Sequence, residues 1–358
     1  MPWRPKCDGS AGDLNGFGLL VWYTDLKRRL LAASKELQAF ELRSIVTSLT
    51  ERNYRLFFSG QLISMAGTWM QTVALAFLVL HLTGSGTALG LATAARFLPI
   101  FFLAPFGGLV ADRLDKRRVL YLTQTLSGLL AGVFAVLIAT GTIEMWMVYL
   151  LGLGLGVVTV FDIPARQSFI AEMVPREKLS NAVTLNSVSI NIARVFGAAL
   201  GGVFVALLGL AICFALNGVS FAAVLITLVM MRKAELYPAP KAVKEKGQVR
   251  AGLRYARTTP ELIVPLIMIT VIGTLAWEFP VTLPLMAVDT FHKGAGTYGL
   301  MASVMAGGAV VGGVVVASRV RPRARALALA AIGWGIAILA AALAPTLAME
   351  LAALVFVG

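Results

Sequence analysis

Three ionisable side chains interrupt long apolar stretches: Arg96, Arg194 and Glu278. A charge in such a setting is expensive and is kept where it faces a cavity or a partner. Arg96, with Pro99 close behind it, reads as a site for an anionic substrate or a partner for a carboxylate, against a purely structural ion pair. Glu278 is flanked by Trp277 and Phe279 and followed by Pro280, so it is expected inside a helix among apolar groups. Burial there favours the neutral acid, and Glu278 reads as a proton carrier. A cationic substrate or a structural hydrogen bond are the alternatives. Gln61, Ser64, Thr68 and Gln71 recur at spacings of three, four and three, which sets them on one helix face beside Met65 and Trp69. Polar groups facing lipid are costly, so this face is expected to line a central cavity and touch substrate, or to make interhelical hydrogen bonds. Asn186 and Asn217 are secondary candidates.

Other chemistries find little support. The two cysteines, Cys7 and Cys213, and the two histidines, His81 and His292, lie far apart. That gives neither a disulfide framework nor metal-ligand spacing, and no metal is expected. No nucleophile–base set stands out, so the chain is not read as an enzyme. A phosphate loop of the Gly-x4-Gly-Lys-Ser/Thr kind is absent from the sequence, and no cofactor is expected.

The elements that must position these residues follow from hydropathy. Hydrophobic residues make up 58% of the 358 and charged residues 14%, against about 25% charged in a soluble domain. Lipid is the expected solvent for most of the surface. A bilayer core needs about 20 apolar residues in helix. Nine such runs are expected, at 56–80, 88–111, 119–140, 145–165, 182–208, 210–231, 262–287, 297–318 and 326–344. A tenth begins near Thr346 and stops at Gly358, about 20 Å of helix against a core of about 30 Å, which reads as a truncated sequence.

The formal charge of +13 does not point to nucleic acid, because the cations sit in short loops between apolar runs. All but three of the 31 lysines and arginines fall on one side of the runs; the exceptions are Arg96, Arg194 and Lys293. That asymmetry puts the N-terminus and the even-numbered loops in the cytoplasm. Residues 1–52 form an N-terminal extension in which Leu26, Leu30, Ala33, Leu37 and Phe40 make one stripe. It reads as an amphipathic helix on the inner leaflet or as a disordered extension. Residues 53–231 hold six runs, 232–260 a polar linker, and 261–358 the remainder. Gly107-Gly108 before one basic loop and Gly312-Gly313 before another hint at a repeat between halves. In the fifth run Gly197, Gly201 and Gly202 follow Arg194, and small residues at that spacing allow close helix packing.

The loop after the second run reads Gly108-Leu-Val-Ala-Asp112-Arg113-Leu-Asp115-Lys116-Arg117-Arg118. It resembles the major facilitator signature between helices two and three, departing from it only at Asp115, where the pattern has glycine. Phe161-Asp162-Ile-Pro164-Ala-Arg166-Gln167 and Phe279-Pro280-Val-Thr-Leu-Pro284 are similar to the same superfamily. Arg194-Val-Phe-Gly197-Ala-Ala-Leu-Gly201-Gly202 resembles its antiporter motif, with Ala198 in place of the usual proline. The resemblance runs from about Asn53 onward and is to the twelve-helix exporter branch that holds siderophore exporters and drug:proton antiporters. It implies an all-α membrane fold of two six-helix halves, here ending after nine to ten transmembrane helices.

The resemblance also implies roles. Gly108, Asp112, Arg113, Arg117, Arg118 and Asp162 would form a conformational latch at the inner interface, with Asp112 facing the dipole of an eleventh helix and Arg117 pairing with Asp162. Arg194 and the glycines after it would keep the cavity closed to leakage. The function implied is a monomeric secondary transporter of the inner (plasma) membrane. It would export a drug, siderophore or related metabolite by alternating access with proton antiport. Its partners would be that small molecule, protons and the lipid bilayer, with no nucleic acid. A non-transporting sensor or truncated pseudo-transporter, and an importer of the same fold, are the alternatives.

Overall fold

The computed structural model describes residues 47–237, 254–255, 257–275, 278–319 and 324–358. The stripe at 26–40, the linker residues 238–253, Trp277 and the basic residues Arg321 and Arg323 lie outside the described residues. Compact-unit boundaries fall between Thr47 and Ser48, and all that follows concerns Ser48–Gly358.

Eleven α-helices occur among the described residues. They are α1 Arg52–Thr83, α2 Gly86–Arg113, α3 Lys116–Ala139, α4 Met145–Met173, α5 Leu179–Leu208, α6 Leu210–Met230, α7 Pro260–Leu275, α8 Phe279–Leu285, α9 Ala295–Arg319, α10 Ala324–Ala342 and α11 Leu347–Val357. Among the described residues, seven helices are long and apolar enough to cross a membrane: α1 to α6, and α9 over Ala295–Gly313. In lipid each backbone N–H and C=O must be satisfied within the segment, which is why a chain this apolar resolves into helices.

The ends of the helices have local causes. The Ser85 hydroxyl accepts from the Ala88 N–H at 3.4 Å and opens α2. The Asp115 carboxylate accepts from the Arg118 N–H at 3.2 Å and opens α3. Thr346 does the same for α11 through Met349. Gly84, at φ 60°, closes α1 in the left-handed region where a Cβ is disfavoured. Gly209, at φ 86°, lets α5 turn straight into α6.

One expected helix is not continuous. The run at 262–287 divides into α7 and α8, and a π turn over Met286–Thr290 follows. Pro280 explains the break: it has no N–H to give and its ring crowds the carbonyl four residues back, yet it suits the first turn of a new helix. The remaining runs match described helices with ends displaced by up to four residues, except that α4 continues eight residues past the expected end, to Met173.

Helices α2 and α4, α3 and α6, and α1 with both α5 and α6 pack as neighbours, and α9 lies along α5. Helix α11 packs on α9 and α10. Tyr54, Phe57, Leu120, Phe169, Met173 and Leu228 form one buried cluster at the end where α1 begins. That end is pinned by Lys178–Glu51 at 2.6 Å, by the Tyr54 hydroxyl donating to the Ala182 carbonyl at 2.8 Å, and by Asn53 bonded both ways to the Arg232 backbone. Large apolar side chains line the exterior; Phe101 is 81% exposed and Phe356 79%. A water-facing surface does not carry such a density of them, and a lipid-facing one does.

Candidate functional site

A cavity of about 360 Å³ opens between the helices. Gln61, Ser64, Thr68 and Gln71 of α1 all line it, as the three-four-three spacing requires of one face. Their hydrogen bonding differs. Thr68 donates back to the Ser64 carbonyl at 2.9 Å. Gln71 accepts from Asn217 of α6 at 2.6 Å, so it serves the interhelical bond as well as the wall. Gln61 is buried, and its amide nitrogen has no partner among the described residues. A buried unpaired donor costs about 1–3 kcal/mol, which a ligand acceptor would relieve. Asn217 also lines the cavity; Asn186 does not.

Arg96 of α2 and Asp162 and Arg166 of α4 complete the charged part of the wall. Asp162 accepts from the Thr123 hydroxyl and the Gln124 amide, each at 2.7 Å, and its second oxygen lies 3.8 Å from Arg166. Arg166 is thereby neutralised one helical turn away. Arg96 makes no hydrogen bond or ion pair among the described residues, so the charged side chains of this wall leave one positive charge uncompensated.

The pairing of Arg117 with Asp162 is corrected. Arg117 instead donates to the Leu228 carbonyl at the end of α6, and its guanidinium lies 5.7 Å from the Tyr121 ring centroid. Its Nε and Nη1 have no partner among the described residues. The reason is register: Asp162 faces Thr123 and Gln124, about two turns along α3 from Arg117. Arg118 is exposed, 3.9 Å from Asp115, and Asp112 and Arg113 are exposed at the end of α2. Close packing in the glycine pair belongs to Gly107, which meets the Val160 carbonyl, while Gly108 faces open space.

Arg194 stacks on Trp69, its guanidinium 4.8 Å from the ring centroid. Its Nε is unpaired among the described residues. With Phe279, Pro280, Tyr298 and others it lines a smaller, largely apolar cavity of about 50 Å³. The glycines after it do the packing. Gly197 and Gly201 lie against α1, and a Cβ on Gly202 would sit 2.8 Å from the Ala295 carbonyl of α9. Helices α5 and α9 thus meet backbone to backbone at the end where α9 begins.

Glu278 is also corrected. It stands exposed at the N-terminus of α8, in the helix break, and lines neither cavity. The enclosure expected for it assumed an unbroken helix. Sequence reasoning missed Glu350 of α11, which is fully buried. The signal was available, since any acid inside an apolar run of this length is suspect.

A major facilitator family model described as "Transmembrane secretion effector" matches residues 43–358. The chain is similar to the uncharacterized MFS-type transporter YfiS of Bacillus subtilis, 26% identical over 62% of the chain and 53% of that protein. It is 29% identical to the staphyloferrin A transporter of Staphylococcus aureus over 51% of the chain and 47% of the relative. It is 26% identical to the enterobactin exporter EntS of Citrobacter koseri over 76% of the chain and 66% of the relative. The chain therefore spans about half to two thirds of the length of these curated relatives. Among solved structures, a bacterial homologue of the human lysosomal transporter Spinster superposes with a TM-score of 0.63 at 17% identity, over 85% of the chain and 71% of that structure. The xylose transporter XylE from E. coli gives 0.55 at 14% identity, over 84% and 78%. These last likenesses carry the fold alone, but the family match covers most of the sequence, and the chain belongs to the major facilitator superfamily of membrane transporters, which are not enzymes.

Proposed function

We propose that this chain exports a small organic anion by alternating access, in exchange for inward-moving protons. The cargo is a drug, siderophore or related metabolite, and two relatives named for enterobactin export and staphyloferrin A transport support the siderophore. The observation that carries the anionic assignment is Arg96, an uncompensated cation on the wall of a cavity that the unpaired Gln61 amide nitrogen of α1 also lines. A guanidinium binds carboxylates and similar oxyanions through paired N–H groups. The halves at 53–231 and from 261, joined by the linker at 232–260, would rock around this cavity. With α5 and α9 sealed at one end, the conformation reads as inward-facing, and Gly108, Asp112, Arg113, Arg117, Arg118 and Asp162 remain the proposed latch at the inner end. Each proton entering down the membrane potential supplies about 2.3 kcal/mol per 100 mV, enough to drive uphill efflux.

The test starts from a compound screen in efflux-deficient cells, followed by uptake into everted vesicles. Arg96→Gln is expected to raise KM for an anionic cargo about tenfold or more, the loss of one charge-assisted contact of about 1.5–3 kcal/mol. Arg96→Lys is expected to restore part of it. An unchanged KM in Arg96→Gln removes the anionic assignment. Accumulation in right-side-out vesicles alone reverses the direction.

A further inference from the structure

Glu350 is fully buried, and neither carboxyl oxygen has a hydrogen-bond partner among the described residues. It lies in the first turn of α11, which packs on α9 and α10. Buried polar groups are almost always bonded, and an ionised carboxylate left bare in an apolar interior is far costlier than its neutral acid. Charges on the packed elements do not rescue it. Glu350 is the sole ionisable residue of α11, and α9 carries only Tyr298 in its first turn and Arg319 as its last residue. Helix α10 carries only Arg325, its second residue, about 25 Å along the helix from the turn into α11. Val355 meets Gly308, which leaves Arg319 about 16 Å further down α9. A metal cation is also poorly served, because such ions need several oxygen ligands and no group of three or more His, Cys, Asp or Glu that could hold one occurs among the described residues.

We propose that Glu350 is a proton-binding site: its carboxyl takes up a proton from water while the end near α11 is open and holds it, buried, in the conformation described here. The step is a simple protonation: carboxylate plus proton gives the neutral acid. It deepens the antiport reading and rests on it for the direction of proton travel. The linkage has one sign. Burial of Glu350 requires the bound proton, so this conformation is favoured at low pH and lost as pH rises.

Spin-label distances test this without any substrate. Labels go at Leu207, in the last turn of α5, and Leu343, just beyond α10 at the same end, both exposed, in a background with Cys7 and Cys213 replaced. In the unsubstituted protein the distance is expected to lengthen as pH rises. Glu350→Gln, a permanent stand-in for the neutral acid, is expected to keep the short distance at every pH. Glu350→Asp is expected to keep the pH response with a displaced midpoint. A Gln variant that titrates like the parent, a parent that shows no pH response, or an Asp variant with an unmoved midpoint overturns the site. Transport does not enter the readout. An intact, Glu350-dependent pH response with no proton-coupled efflux therefore sinks the antiport reading alone.

Discussion

Asp162 shows how little of a charged residue's role lies in its own helix. It takes two hydrogen bonds from α3 and holds Arg166 on α4, with both side chains of the pair under a fifth exposed. Removing one member of such a pair leaves the other uncompensated beside Arg96. Asp162→Ala is expected to cost about 2 kcal/mol, discounted for partial exposure, and to lower the thermal midpoint in detergent by several degrees. Asp162→Asn should retain much of that stability, because the Thr123 hydroxyl still finds an acceptor. A midpoint unchanged in Asp162→Ala means that the network does not hold α3 to α4. That Asp162 and Arg166 share a helix face was legible from their spacing. The partnership with Thr123 and Gln124 was not, since it depends on the register between two helices. The same gap misplaced Arg117. Glu278 failed differently: Pro280 was visible, but whether a proline bends a helix or ends it depends on what supports the freed backbone.

At the scale of elements, α5 does most of the joining. Its Arg194 stacks on Trp69, its Gly197 and Gly201 admit α1, and its Gly202 admits α9. A Cβ on Gly202 would lie 2.8 Å from the Ala295 carbonyl and 3.1 Å from the Gly299 Cα, so a larger side chain must push the backbones apart. Gly202→Leu is expected to disfavour the sealed end. Ala295 is buried, and a cysteine placed there should react several-fold faster with a membrane-impermeant thiol reagent in the Gly202→Leu background. An unchanged rate would mean that α5 and α9 do not form the seal. Glycine spacing made close packing legible in the sequence, and hydropathy made nearly every helix legible. Which neighbour each glycine admits was not, because consecutive glycines on one helix face different partners.

The whole molecule is organised by where its cations are. Arginine and lysine are retained on the cytoplasmic side during insertion, and 31 such residues placed with three exceptions on one side of the runs make a strong orientation signal. The fold preserves the separation. Arg118 is exposed in the first turn of α3, at the end where α2 closes. Lys293 is exposed just before α9, at the end where α5 and α9 meet. A single apolar belt lies between them, formed by exposed side chains such as Phe101 and Val219. If lipid fills that belt, the two positions cannot be reached from one compartment. In a background lacking Cys7 and Cys213, Lys293→Cys is expected to label in intact cells with an impermeant maleimide. Arg118→Cys is expected to label only after permeabilisation. Reversed labelling would invert the orientation, and with it the direction in which the Glu350 proton travels. Labelling of both positions in intact cells would break the bilayer reading itself, because a helix pair separated by about 30 Å of hydrocarbon has no way to present both ends to the same water.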